Sequence, residues 1–97
     1  MKRDEILRIL AAHRDELRRE YGVKSLALFG SAVRNETTEA SDVDLLVEVD
    51  RQIGLFHLIA TEQHLEDVLG TKVDLVMRRA VLPELKDGIF SEAVNAF

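Results

Sequence analysis

The sequence predicts an α/β domain: a small mixed sheet of three short strands packed with helices. Three observations carry that prediction. Apolar residues recur at spacings of three and four over 4–20 and 55–69, the period of a helix face. Between and after these stretches lie short runs rich in Val, Leu and Ile that suit strands. The chain has 97 residues, and a chain of that size buries roughly 60–65% of its unfolded surface, enough for one core and no second domain.

The first helix reads over 4–20. Ile6, Ile9, Leu10, His13, Leu17 and Tyr21 share one face, and Arg8, Arg14, Asp15, Arg18 and Arg19 form the outer one. Gly22 is its stop signal. Val23 to Phe29 is almost continuously apolar and reads as a strand buried on both faces. Gly30-Ser31 ends it, and Ala32-Val33-Arg34 opens a short helix with Ser31 near its start. Asn35 to Ser41 is a polar loop.

Asp42 to Val49 is the second strand. Alternation puts Asp42, Asp44 and Leu46 on one face and Val43, Leu45 and Val47 on the other. Arg51 to Gly54 is a turn. Leu55 to Leu69 is the second long helix, with Leu55, Leu58, Ile59, Glu62, Leu65 and Leu69 at helical spacing and Gly70 as its C-cap. Lys72 to Met77 is the third strand. A last helix runs from Leu82 to about Ala96, with Pro83 in its first turn, where proline is tolerated, and Gly88 as its weak point. No repeat or linker divides the chain, so residues 1–97 read as a single domain.

Composition removes several classes of function. The chain has no cysteine, which excludes disulfides, thiolate metal sites and cysteine nucleophiles. Its net charge is −5, from 13 basic and 18 acidic residues, which argues against coating nucleic acid; no direct nucleic-acid binding is expected. No apolar run approaches the roughly 20 residues of a membrane helix. The Met1-Lys-Arg-Asp-Glu start lacks the apolar block of a signal peptide. A cytoplasmic protein is the expectation.

The acidic residues are concentrated. Glu36, Glu39, Asp42, Asp44, Glu48 and Asp50 fall between Asn35 and Arg51, where there is no Lys or Arg. Asp42 and Asp44, two apart on a strand, point the same way, roughly 6–7 Å apart along the chain. Asp74 stands in the next strand, in an apolar run that looks buried, where a carboxylate needs a partner. Three such groups suit hard cations: Mg²⁺ takes one or two carboxylates plus substrate phosphates. Two ions about 3.5–4 Å apart stabilise an in-line phosphoryl displacement. Asp74 is also placed to act as general base. The plainer reading has Asp42 and Asp44 lining the wet face of a half-exposed strand.

Gly30 lets backbone approach a phosphate without a Cβ in the way. N–H groups at the following helix start, the Ser31 hydroxyl and Arg34 one turn on would add donors. The plainer reading is an ordinary turn with Ser31 as a helix cap. The separation of Ser31 from Asp42 leaves room for a short helix and a loop to bring the two features together.

With these residues in view the sequence resembles a known family. Phe29-Gly-Ser-Ala-Val-Arg34, Ser41-Asp-Val-Asp-Leu-Leu46 and Val73-Asp-Leu75 look like the minimal nucleotidyltransferases of the DNA polymerase β superfamily. The likeness covers about Val23 to Met77 and a helical tail. It implies the minimal polymerase β-like fold and an antitoxin of a type VII-like toxin–antitoxin pair. Such an antitoxin moves AMP from ATP onto a tyrosine of a HEPN-domain RNase toxin, in a hetero-oligomer with it. Carried over by motif, Gly30, Ser31 and Arg34 would hold the triphosphate. Asp42, Asp44 and Asp74 would bind Mg²⁺, as two ions, and carry the catalysis. The chain departs from the pattern at Ala32, usually arginine, and at Asn35, usually glycine.

The chain is too short to carry an acceptor-binding domain, so a bound partner would supply the positioning. Two other readings stay open. One is a non-catalytic antitoxin acting by binding alone, although three clustered carboxylates repel one another without metal. The other is a small-molecule nucleotidyltransferase. His13 reads as a core-edge residue, Tyr21 as core, and His57 and His64 as too far apart for a helical metal pair. Phe90 and Val94 read as neighbours on the last helix. A sheet this small is expected to expose an edge strand for a partner to cover.

Overall fold

The computed structural model describes residues 1–38, 42–50 and 52–97; the end of the predicted loop at 39–41 and Arg51 of the predicted turn lie outside them. The elements run α1 (Arg3–Ala12), α2 (Arg14–Tyr21), β1 (Val23–Phe29), a 3₁₀ turn (Gly30–Arg34), β2 (Val43–Val49), α3 (Leu55–Leu69), β3 (Val73–Met77), a second 3₁₀ turn (Arg78–Ala80), α4 (Pro83–Glu92) and β4 (Val94–Asn95). The sheet order is β3-β2-β1-β4. β1 is antiparallel to β2 and to β4. β2 and β3 are parallel, a pairing that needs a crossover, which α3 supplies.

Period-2 alternation decides what each strand buries. Val43, Leu45 and Val47 join Leu26 and Leu28 in the main core, together with Ile6, Leu10, Leu17, Leu65 and Leu69 of the helices. On the opposite sheet face Ala27, Leu46 and Val81 form a smaller core, with Ile89, Phe90 and Ala93 of α4 and its end packed on it. β1 is buried on both faces, as its apolar run predicts. Gly22 and Gly70 close α2 and α3 in the left-handed conformation that glycine adopts without penalty.

Three boundaries differ from expectation. The helix predicted over 4–20 breaks at His13, whose N–H turns back to Leu10 O at 3.1 Å. The break lets α1 pack on α3 while α2 packs on β1. The helix predicted to reach Ala96 stops at Glu92, and Ala93 turns extended. Val94 and Asn95 then pair with Leu28 and Ala27 as a fourth strand, giving the outer edge of β1 the hydrogen-bond partners that buried backbone requires. Val94 is therefore not a helical neighbour of Phe90. Asp42 lies just before β2, whose first residue is Val43.

At the β3 edge of the sheet the chain itself takes up two of the outward N–H groups. Glu66 Oε2 accepts the Val73 N–H at 3.0 Å, and Glu62 Oε2 accepts the Leu75 N–H at 3.1 Å. These carboxylates occupy donors that an edge strand otherwise presents to other chains. The histidines serve packing. His64 Nε2 lies 2.6 Å from Glu16 Oε1, with its ring stacked on Tyr21, and His57 Nε2 lies 2.8 Å from Tyr21 O. His13 is half-buried, with Nδ1 3.5 Å from the same Glu16 oxygen. Among the described residues no helix is long and apolar enough to cross a membrane.

Candidate active site

Three adjacent strands bring the candidate residues to one end of the sheet. Asp44 is the register partner of Phe29 in the antiparallel pair and of Asp74 in the parallel pair. The Gly30–Arg34 turn therefore leaves β1 beside Asp44, and Asp74 flanks Asp44 on the other side.

Gly30 has φ +75°, and a Cβ built there would stand 2.3 Å from Asp44 Oδ2. Glycine is thus required twice, by the backbone conformation and by the carboxylate against it. No side chain caps the turn that follows, so the plainer role open to Ser31 is not filled. Ser31 O accepts the Glu36 N–H at 3.0 Å.

The two departures from the family pattern have structural reasons. Asn35 has φ 56°, the left-handed region that glycine favours and asparagine tolerates best among the others. Ala32 is 2% exposed and belongs to the main core, so its methyl fills packing space.

Arg34 is already engaged. Its Nε donates to Glu36 Oε2 at 2.9 Å, and its Nη1 donates to Glu92 of α4. The hydrogen bond to Glu36 and the charge of Glu92 raise its pKa further. To meet a triphosphate the guanidinium has to exchange these carboxylates for phosphate oxygens.

The carboxylates differ in environment. Asp44 is half-buried, whereas Asp42 and Asp74 are exposed. The expectation that Asp74 is buried is corrected by strand parity. Val73 and Leu75 are 5% and 7% exposed on the core side, and Asp74 between them faces the other way. Burial pushes the Asp44 carboxyl above the usual aspartate range, and the charges of Asp74 and then Asp42 push it further. Among the described residues no group of three or more His, Asp or Glu side chains is arranged to hold a metal ion. An open, all-oxygen donor set with mutual repulsion fits Mg²⁺, which keeps room for water and phosphate.

Sequence reasoning missed three carboxylates around this end of the sheet: Glu92 on Arg34, and Glu62 and Glu66 on the strand that carries Asp74. One signal was present. Glu62 stands in the otherwise apolar inward stripe of α3.

The family comparison bears directly on this geometry. The model of the nucleotidyltransferase domain matches residues 10–95. The chain belongs to this nucleotidyltransferase family. Its turn, strand pair and crossover all fall inside the matched region. The nucleotidyltransferase is 42% identical over 91 residues to the protein adenylyltransferase MntA of Thermococcus cleftensis, covering 94% of this chain and 92% of that protein. It is 47% identical over 77 residues to a Methanocaldococcus jannaschii protein named as a candidate protein adenylyltransferase, covering 79% of each. A solved structure described as a candidate minimal nucleotidyltransferase superposes with TM-score 0.79 at 32% identity, covering 97% of this chain and 95% of that one. At 19% identity the fold is shared with a chain of the complex of a tri-AMPylated HEPN toxin and MNT antitoxin from Shewanella oneidensis (TM-score 0.67, 94% of this chain and 71% of that one). The four-stranded sheet with its helices is thus the minimal nucleotidyltransferase fold.

Proposed function

We propose that this nucleotidyltransferase is the antitoxin of a toxin–antitoxin pair. It transfers AMP from ATP to a tyrosine hydroxyl of a HEPN-domain RNase toxin and so silences it. One juxtaposition carries the reading: Asp44 lies in register with Asp74 on one side and against Gly30 on the other. A carboxylate pair beside a glycine-serine turn is what nucleotidyl transfer from a triphosphate needs. The names of the relatives support protein as the acceptor, and the complex from Shewanella oneidensis supports a HEPN toxin.

Gly30, Ser31 and Arg34 would hold the triphosphate. Asp42, Asp44 and Asp74 would hold Mg²⁺, which neutralises phosphate charge and favours in-line displacement. The tyrosine oxygen forms a bond to the α-phosphorus. The bond from that phosphorus to the oxygen bridging to the β-phosphate breaks, and pyrophosphate leaves. Asp74, exposed and open to a large acceptor, takes the phenolic proton.

The test uses ATP labelled at the α-phosphate, Mg²⁺ and a lysate of the source organism, with Asp44→Asn as control. Label on one protein of HEPN size, dependent on Asp44, is the expected result. Absence of label while that partner still co-purifies would replace transfer with neutralisation by binding alone. Label on a small molecule would point to a small-molecule transferase.

A further inference from the structure

Asp74 is flanked by two backbone N–H groups that carboxylates hold. In a parallel pair, alternate residues of β3 direct their N–H groups towards β2, and those between direct them away. The N–H groups of Val73 and Leu75 are of the second kind. Glu66 takes the first at 3.0 Å and Glu62 the second at 3.1 Å. The two glutamates stand one turn apart on α3, on the same helix face. Both are half-buried. Water would satisfy an exposed strand edge without ordering two long side chains. Here a charge-assisted bond lies on each side of the residue whose side chain enters the site.

We infer that Glu62 and Glu66 are positioning residues for nucleotidyl transfer. They lock the backbone of residues 73–75 from the outer edge, so that Asp74 stays opposite Asp44. The inference rests on the reading of Asp74 as the proton acceptor and third carboxylate. Without the clamp, β3 keeps its pairing to β2 and its core side chains, and Asp74 gains freedom along the edge. A displacement of about 1 Å at a reacting group costs on the order of 10²-fold in rate. The triphosphate-holding turn lies on the far side of Asp44 and is untouched by the clamp.

The test compares Glu62→Ala, Glu66→Ala and the double variant with Glu62→Gln and Glu66→Gln, which keep an acceptor oxygen. Label from α-labelled ATP onto the protein identified in the lysate experiment gives kcat and KM. Amide exchange of Val73 and Leu75 is followed in parallel and needs no partner. Expected for the alanine variants is faster exchange at both amides. Their kcat falls about 10–100-fold with KM for ATP unchanged, and the glutamine variants return close to wild type. Alanine variants with wild-type kcat per folded molecule would overturn the inference and leave the glutamates a purely structural edge. Glutamine variants as slow as alanine would also overturn it, because the acceptor geometry would not be what matters. Asp74→Asn with full activity would remove the underlying reading and the inference with it. Protection of the two amides would persist in that case, so the two failures are distinguishable.

Discussion

Gly30 packs its backbone against the carboxylate of Asp44, leaving no room for a side chain: a Cβ at residue 30 would lie 2.3 Å from Oδ2 and 3.2 Å from Cγ. Gly30→Ala therefore acts in two ways. The positive φ costs about 1–2 kcal/mol of stability. The clash falls on the end of a side chain that can rotate, so its main effect is to turn the carboxylate out of place. The expected result is a folded protein with AMP transfer reduced by on the order of 10²-fold, by the same cost of misplacement. Denaturant melts and transfer rates measured together check this. Loss of stability with normal transfer would show that Asp44 tolerates the displacement.

Asp44→Asn should remove transfer and stabilise the metal-free fold. The raised pKa of Asp44 means that its charge is less favourable in the folded chain than in the unfolded one. That penalty is absent below the ordinary aspartate value and fully present above the raised one. The metal-free protein thus gains stability as pH falls through this window, and the variant lacks that gain. At pH 7 the variant should be the more stable of the two, with a higher melting temperature. Thermal melts in EDTA at pH 7 and near pH 4 decide it. A lower melting temperature for the variant at pH 7 would contradict the assigned burial penalty and the repulsion added to it.

Ser31→Ala should weaken ATP binding and spare the fold. No side chain caps the turn, so stability should stay within about 0.5 kcal/mol. A hydroxyl lost from a charged phosphate costs about 1.5–3 kcal/mol, roughly 10–100-fold in affinity. Calorimetric titration with Mg²⁺ and a non-hydrolysable ATP analogue reads the affinity. A fall in melting temperature at unchanged affinity would return Ser31 to a structural role.

Arg34 is shared between Glu36 and Glu92. Glu92→Gln should release it towards the nucleotide and tighten ATP binding about two- to five-fold. The ion pair is exposed, so the stability change should stay below about 1 kcal/mol. Arg34→Ala should weaken ATP binding. If neither variant changes affinity, Arg34 ties the turn to α4 and does not meet phosphate.

Local pattern made much of this molecule legible. β1 and α3 match their predicted bounds because one is a near-continuous apolar run and the other an unbroken helical period, each with a glycine at its end. The break at His13 left no mark, since the apolar spacing continues through it. β4 was hidden for another reason: two residues pair only because β1 offers an edge, and a helical period continues across them. The motif residues were legible because glycine and aspartate are poor strand formers and so announce themselves. Asp74 was misjudged as buried because an apolar run was given more weight than alternation. Glu62 and Glu66 bind backbone N–H groups of the next element and Glu92 binds Arg34 from the other end of the chain, and no hydrophobic period reports such partners.

The parallel β2–β3 pairing has a consequence for how activity arises in time. Asp44 and Asp74 belong to strands separated by the whole of α3, so their meeting requires a longer loop closure than the β1–β2 pairing does. The β1–β2 pair and the helices depend on nearer contacts and assemble earlier. A newly synthesised or refolding chain thus gains its helical signal before it has a paired acidic site. Nucleotidyl transfer thus waits on the docking of β3, and a chain in which β3 is still undocked lacks the paired carboxylates.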